Sequence, residues 1–540
     1  MENIAEKPGA QTDVALEPIL IDGKWEAAQD VAGSFHAMNP TQEERMPYEY
    51  PVTGMQDVQR MIEAGHRAAV ELRSYAPEQI ASFLEAFADG IEARKDELVE
   101  MAYQETALAK EPRLGTVELP RTTDQLRQAA AAARDRSWCL VTIDTGTNIR
   151  SKYGPLGGPV VVMGPNNFPY AFNSASGGDF AAAIAAGNPV IAKANTSHPQ
   201  TTKILAEIAL DAIKATDMPR ALVQLLYRTP RDVGLKLVSH PLVGATGFTG
   251  SKGAGLKLKE AADKAGKPIY LEMSSVNPVF ILPGALQERM DDVANDFLTS
   301  CTLGTGQFCT NPGIVVLMEG QESEAFAELM RMKFENTPDG TLLGEGGPED
   351  IDQAIKTWRA HGAQLLTGGH AGNGAGYSYA NTLLRVSAAD FVRNPDALQT
   401  EAFGVASLLI VAADAEQMAA VASAVEGQLT GCIYSHTGGE DDAAYDVVAP
   451  ALRPRGGRRL NDKMPTGVAV VPAMNHGGPY PATGHPGFTA VGIPASLLRF
   501  GALHCYDNVR PHRLPPELQD ENPTGHMWRF IDREWTQADV

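Results

Sequence analysis

The chain is poor in cysteine, in positive charge and in long apolar runs. Five cysteines in 540 residues, an odd number without repeated spacing, exclude a disulfide framework. They point to a reducing cytoplasm, where a thiol stays available as a nucleophile. Lysine and arginine number 45 against 66 acidic residues, and the net charge of −21 argues against nucleic acid or an anionic membrane as main partner. It leaves a phosphate-bearing cofactor open, because local cations and backbone amides decide that. No apolar run approaches the roughly 20 residues needed to span a bilayer. The opening Met-Glu-Asn-Ile-Ala-Glu-Lys-Pro lacks the regions of a secretory signal. The histidines lack ligand spacing, so no metal is expected. There is neither an internal repeat nor a low-complexity tract.

What the chain does contain is strand and helix in alternation. Its length calls for more than one core. Apolar residues at helical spacing, Ile80, Phe83, Leu84, Phe87, Ile91 and Leu98, predict a helix over 77–108, with a second around 121–134. Residues 137–153 turn to β-like alternation and predict a hairpin. From 159 onward come apolar runs at 159–163, 190–193, 222–226 and 243–247, separated by helical segments. A second series follows at 278–282, 314–317, 407–411 and 429–433. Continuous apolar strands alternating with helices predict parallel sheets covered on both faces, hence two successive α/β domains. The Gly- and Pro-rich tail after about 470 reads as a separate, extended element.

Chemistry concentrates in Gly-Thr-Gly-Gln-Phe-Cys-Thr (304–310). Cys309 follows a glycine-bearing turn at what reads as a junction into a helix, where backbone N–H groups stabilise a thiolate. Cys139, Cys301, Cys432 and Cys505 lack such a setting and read as structural. Glu272 ends the apolar approach 268–271; a partly desolvated carboxylate beside a thiol suits general-base work. Asn167 follows a strand and a glycine. Turn chemistry explains an asparagine there, as does an amide donor aimed at a developing oxyanion. Gly250-Ser-Lys-Gly-Ala-Gly255 precedes a helix and offers amides to a pyrophosphate, although it is not the usual dinucleotide fingerprint. Lys193 ends the strand at which a nucleotide fold reads the ribose.

Taken in order, Asn-Phe-Pro (167–169), Lys193, Phe-Thr-Gly-Ser (248–251), Leu-Glu (271–272), Gly-Gln-x-Cys (306–309) and Glu-x-Phe-Gly (401–404) resemble the aldehyde dehydrogenase superfamily from about residue 20 to 500. A closer resemblance is to the branch holding α-ketoglutaric semialdehyde dehydrogenases and bacterial NADP-dependent fatty aldehyde dehydrogenases. It is carried by 171–172 with 177–179, 306–313, 465–468, His476-Gly-Gly-Pro-Tyr-Pro-Ala-Thr483 and 514–523. The resemblance implies an aldehyde dehydrogenase-like fold with a Rossmann-like cofactor domain (1–137 and 158–273), a catalytic domain (274–469) and a β oligomerisation extension (138–157 and 470–540). It implies that Cys309 attacks the aldehyde, that Asn167 and the Cys309 amide hold the oxyanion, and that Glu272 activates water to hydrolyse the thioester. Glu401 and Phe403 would hold the nicotinamide ribose and ring, Lys193 the adenosine ribose, and Gly250 and Ser251 the pyrophosphate.

Several positions depart from the family pattern: Ser274 and Ser275 replace glycines, and Ala194 and Val405 replace prolines. Thr196 replaces the glutamate that binds both ribose hydroxyls, and Arg231 stands where the NADP-using branch has its arginine. Losing a carboxylate and gaining a cation favour NADP over NAD. Arg121, Gln125 and Arg127 match a motif of the semialdehyde enzymes and are the candidates for a substrate carboxylate. The expected reaction is oxidation of α-ketoglutaric semialdehyde to 2-oxoglutarate. A fatty or broad-range aliphatic aldehyde dehydrogenase is the alternative, with a catalytically silent binding protein on the same scaffold behind it. Unpaired edges in a β extension predict a homodimer or a homotetramer.

Overall fold

A computed structural model describes residues 15–540; the opening segment read above for a targeting signal lies outside them. Its framework is two seven-stranded sheets. In the first, Ile269–Glu272, Ala245–Thr249, Val160–Met163, Val190–Lys193 and Val223–Leu226 lie side by side and parallel. The antiparallel pair Ile19–Ile21 and Lys24–Glu26 closes one edge. Val160, Val161, Val190, Ile191, Val223 and Leu225 are all fully buried, which is why these runs do not alternate with polar residues. The first strand of the parallel series sits between the second and the fourth. Chain direction across the sheet therefore reverses beside Met163 and Phe248, and the loops leaving that point form the crevice where such folds bind ligands.

The second sheet runs Gln364–Thr367, Thr382–Ser387, Ala406–Ala412, Ile314–Met318, Val279–Ile281, Gln428–Tyr434, Gly456–Asn461, parallel except for its first pair. The third, five-stranded sheet joins the hairpin Thr142–Asp144 and Ile149–Pro155 to the tail strands Gly501–Asp507, Arg529–Ile531 and Glu534–Thr536. Between them, 470–494 is irregular and threads back towards the first two sheets.

The helix expected over 77–108 is two, Pro77–Ala93 and Lys95–Thr106. Arg94 leaves helical geometry and its guanidinium is held by Glu97 and Glu207. The break turns the second helix so that Leu98, Val99 and Ala102 are buried. Leu119–Asp135 packs against Pro77–Ala93 and buries Leu126 with Ala129, Ala130 and Ala133, and alanines let helix axes approach closely. Among the described residues no helix is long and apolar enough to cross a membrane.

Candidate active site

Loops at the switch point and the facing edge of the second sheet enclose a cavity of about 810 Å³, lined by Asn167, Lys193, Gly250, Glu272, Cys309 and Glu401 among others. Cys309 is carried on a turn whose shape glycine permits. Gly304, Thr305 and Gly306 have φ of 58°, 56° and 71°, and a Cβ on Gly306 would fall 2.3 Å from the Gly404 backbone. That contact fixes the cysteine turn against the loop bearing Glu401 and Phe403. The expected junction into a helix is not there. Cys309 follows the C-terminal end of the helix Pro283–Thr302 and precedes the strand Ile314–Met318, so no helix N-terminus supports a thiolate. Burial first, and then the Glu272 carboxylate, push the thiol well above its ordinary value, with Arg121 opposing.

Glu272 ends its strand and is 1% exposed. The tail is stitched beside it: Met273 N–H donates to the Ala482 carbonyl at 2.8 Å, and Gly484 N–H to that of Leu271 at 3.0 Å. This stitching delivers His476, whose Nε2 stands 2.8 Å from Glu272 Oε1 and 3.4 Å from Cys309 Sγ. Neither Glu272 oxygen has a well-aligned donor. The backbone on either side of the imidazole is tied down, His476 N–H to Thr489 Oγ1 and Ala490 N–H to the His476 carbonyl. Sequence reasoning passed over His476 because it stands alone among glycines and prolines; its only signal was membership of the 476–483 motif.

Asn167 donates its side-chain N–H to the Gln307 carbonyl at 2.9 Å, within the cysteine turn. Its own carbonyl accepts from Arg113 Nη2 at 2.9 Å. Arg113 is buried, paired with Glu118, and lies over the rings of Phe168 and Phe308. The other Glu118 oxygen accepts the N–H groups of Tyr170 and Ala171 at 2.8 and 2.9 Å. This buried pair therefore clamps the Asn167 loop from both ends.

The three residues expected to meet a substrate carboxylate part company. Arg121 points inward, its guanidinium over Phe168 and Phe172 at 5.5 and 5.2 Å, with Nε and Nη2 buried and unpartnered. Burial lowers its pKa, while Glu118 and the Cys309 thiolate oppose that shift. Gln125, one turn on, donates to the Ala490 carbonyl at 3.3 Å and steadies the tail. Arg127 lies on another face of the helix, turned to solvent and engaged by Asp89 and Glu92. It does not reach the cavity, and Arg121 and Gln125 lie behind its lining rather than in it.

At the other end of the cavity, burial and then the Arg228 cation bring Lys193 down to about 8. Thr196 lies in the turn after the Lys193 strand, and Arg231 opens the exposed first turn of Arg231–Val238 after the neighbouring strand. Gly250 and Ser251 precede the helix Lys252–Lys264. Burial raises Glu401 to about 7 against hydrogen bonds from the Ser274 side chain and the Ser275 amide. Ser275 also reaches Gln428 and the Leu429 amide, so the two serines that replace glycines brace the Glu401 loop. A helix N-terminus and a buried acceptor for hydroxyls fit a dinucleotide.

A crevice at a sheet switch point that opens onto a half-buried thiol and a buried carboxylate is the setting of a nucleotide-dependent oxidoreductase. The aldehyde dehydrogenase family model matches residues 25–451, and the chain belongs to that family. It oxidises an aldehyde with NAD(P). It is 38% identical over 515 residues to α-ketoglutaric semialdehyde dehydrogenase 2 of Azospirillum brasilense, covering 92% of this chain and 96% of that one. It is 33% identical over 532 residues to α-ketoglutaric semialdehyde dehydrogenase of Acinetobacter baylyi, covering 96% and 98%. In fold it matches lactaldehyde dehydrogenase of Escherichia coli, with a TM-score of 0.77 at 22% identity over 91% of this chain and 98% of that one.

Proposed function

We propose that the chain is an NADP-preferring dehydrogenase of α-ketoglutaric semialdehyde, releasing 2-oxoglutarate. Arg121 carries this reading. A guanidinium with two buried, unpartnered nitrogens near Cys309 is costly without a ligand, and a substrate carboxylate at the far end of a short chain supplies one. The 38% and 33% identical relatives named for this substrate support the same choice.

The residues divide the work as follows. The buried Glu272–His476 pair, whose Nε2 stands 3.4 Å from the sulfur, takes up the Cys309 proton as the thiolate attacks the carbonyl carbon. Asn167, held through Gln307 and Arg113, donates to the oxyanion. A nicotinamide held there would supply the hydride acceptor; the thiohemiacetal carbon, losing its hydride, would remain on Cys309 as a thioester. Glu272 then draws a proton from water, which hydrolyses the thioester and frees the acid. Gly250, Ser251 and Lys193 would hold pyrophosphate and adenosine ribose, Glu401 and Phe403 the nicotinamide ribose and ring, and Thr196 and Arg231 the 2′-phosphate.

The division into cofactor, catalytic and oligomerisation units follows the same reading, with the five-stranded sheet as the extension. Leu503 and Trp535, 62% and 54% exposed on its two outer strands, favour a homodimer or homotetramer through its edges. A thiol that must stay reduced to act as a nucleophile supports the cytoplasm as its location.

Purified protein should oxidise the semialdehyde with NADP at a kcat/KM at least about tenfold above that for a medium-chain aliphatic aldehyde, or about 1.4 kcal/mol. Arg121→Met should cost the semialdehyde about 10- to 150-fold, the worth of a charged hydrogen bond, and spare the aliphatic aldehyde. Preference for the aliphatic substrate would reject the semialdehyde and favour the lipid-linked alternative.

A further inference from the structure

We propose that Cys309, His476 and Glu272 form a site for a zinc-like divalent cation that reversibly silences the enzyme. Their ligand atoms come from three separate segments and all lie within 4.8 Å of one another. The spacing suits zinc. Bonds of about 2.3 Å to sulfur and about 2.0 Å to nitrogen or oxygen place tetrahedral donors roughly 3.3–3.6 Å apart. Sγ to Nε2 is 3.4 Å and Nε2 to Oε1 is 2.8 Å, and all three donors lie within 4.8 Å, so side-chain shifts of about an ångström bring them to those separations.

Burial adds to the geometry. The Glu272 carboxylate is 1% exposed, Oε1 has His476 Nε2 at 2.8 Å, and Oε2 has no hydrogen-bond donor. A buried carboxylate so sparsely supplied gains from a cation. Sulfur and imidazole donors select zinc or cobalt over magnesium or calcium. Cys309 and Glu272 both line the cavity, which provides an entry path and leaves a fourth position for water.

Binding is an exchange: the cation forms a bond to Cys309 sulfur and the thiol proton leaves to solvent, with no change of oxidation state. The bound ion then occupies the thiolate, the imidazole and the carboxylate together. Turnover stops, and chelation restores it. Three donors from distant parts of the chain explain why no spacing in the sequence announced the site.

The test uses untagged full-length protein without cofactor, titrated anaerobically with Co²⁺ and, separately, with Zn²⁺. One Co²⁺ per chain should give a thiolate-to-cobalt charge-transfer band that is absent in Cys309→Ser. Half-saturation by Co²⁺ should rise at least tenfold in both His476→Gln and Glu272→Gln. Retained NADP binding checks that each variant is folded. Wild-type oxidation should be inhibited by Zn²⁺ and recovered with EDTA. A band that survives in Cys309→Ser, or an affinity unchanged in the other two variants, overturns the site. Because the cobalt band is read without turnover, failure of the semialdehyde assignment leaves this test intact.

Discussion

Glu272 and His476 face each other at 2.8 Å, both almost fully buried, although one ends a strand of the first sheet and the other lies in the tail. Their contact makes the irregular tail part of the reacting centre rather than a cover over it. The same imidazole reaches Cys309 at 3.4 Å, so the sulfur has a proton acceptor on one side and a carboxylate nearby that opposes its ionisation.

Opposite effects on the thiol follow for the two neighbours. His476→Asn should lower kcat/KM for aldehyde by about 100-fold, the order of a lost general base, and slow alkylation of Cys309 by iodoacetamide at pH 7. Glu272→Gln removes the charge that raises the thiol pKa, so alkylation should accelerate while turnover falls. Alkylation rates across a pH series, with NADP binding as the control, check both. Equal alkylation in all three proteins would remove His476 from the proton path.

Arg113 is expected to act on the reaction without touching substrate, by holding the Asn167 carbonyl while Glu118 holds the next residues of the loop. Arg113→Met leaves the Glu118 carboxylate buried and unpaired and should destabilise the protein by about 3–5 kcal/mol. Arg113→Lys keeps the charge but loses the paired geometry. It should fold, bind NADP normally and lose kcat more than it changes KM. A Lys variant with wild-type kcat would reduce the pair to a packing role.

Glu401 sets a pH dependence of cofactor binding. Buried and raised to about 7, it is mostly protonated below that pH and an anion above it. Ribose hydroxyls donate more strongly to the anion. The dissociation constant for NADP should therefore fall as pH rises through about 7 and level off above it. Glu401→Gln should bind more weakly and show no such step. Quenching of protein fluorescence by NADP from pH 5.5 to 8.5 measures it.

The parallel strands were legible because burial on both faces writes itself as an unbroken apolar run: Val160–Met163 and Val190–Lys193 stand where those runs stood. The break at Arg94 was not, since the residues around it keep helical spacing and only distant Glu207 and nearby Glu97 hold the turn. Helix phase alone separates Arg127 from Arg121 and Gln125, which are four apart and share a face. The acids that hold Arg127 lie on another helix. His476 was hidden for a different reason: tail-to-strand hydrogen bonds position it, and nothing local in a Gly- and Pro-rich loop reports them.

Glu517 anchors the tail to the hairpin. Burial raises the Glu517 carboxyl, but Arg136 and Lys152 outweigh it and hold the group down at about 2. Lys152 lies 2.6 Å away on the hairpin, and Arg136 closes the other side. Glu517→Gln leaves both cations facing a neutral amide and should cost about 3 kcal/mol at pH 7, read as a lower Tm. The folded value lies below the ordinary 4.5, so this stability is present above about 4.5 and disappears as pH falls towards 2. The Tm gap between wild type and variant should thus be constant from pH 7 to 5 and narrow below about 4.5. A gap that widens in acid would mean that the carboxyl is not held ionised by its two partners.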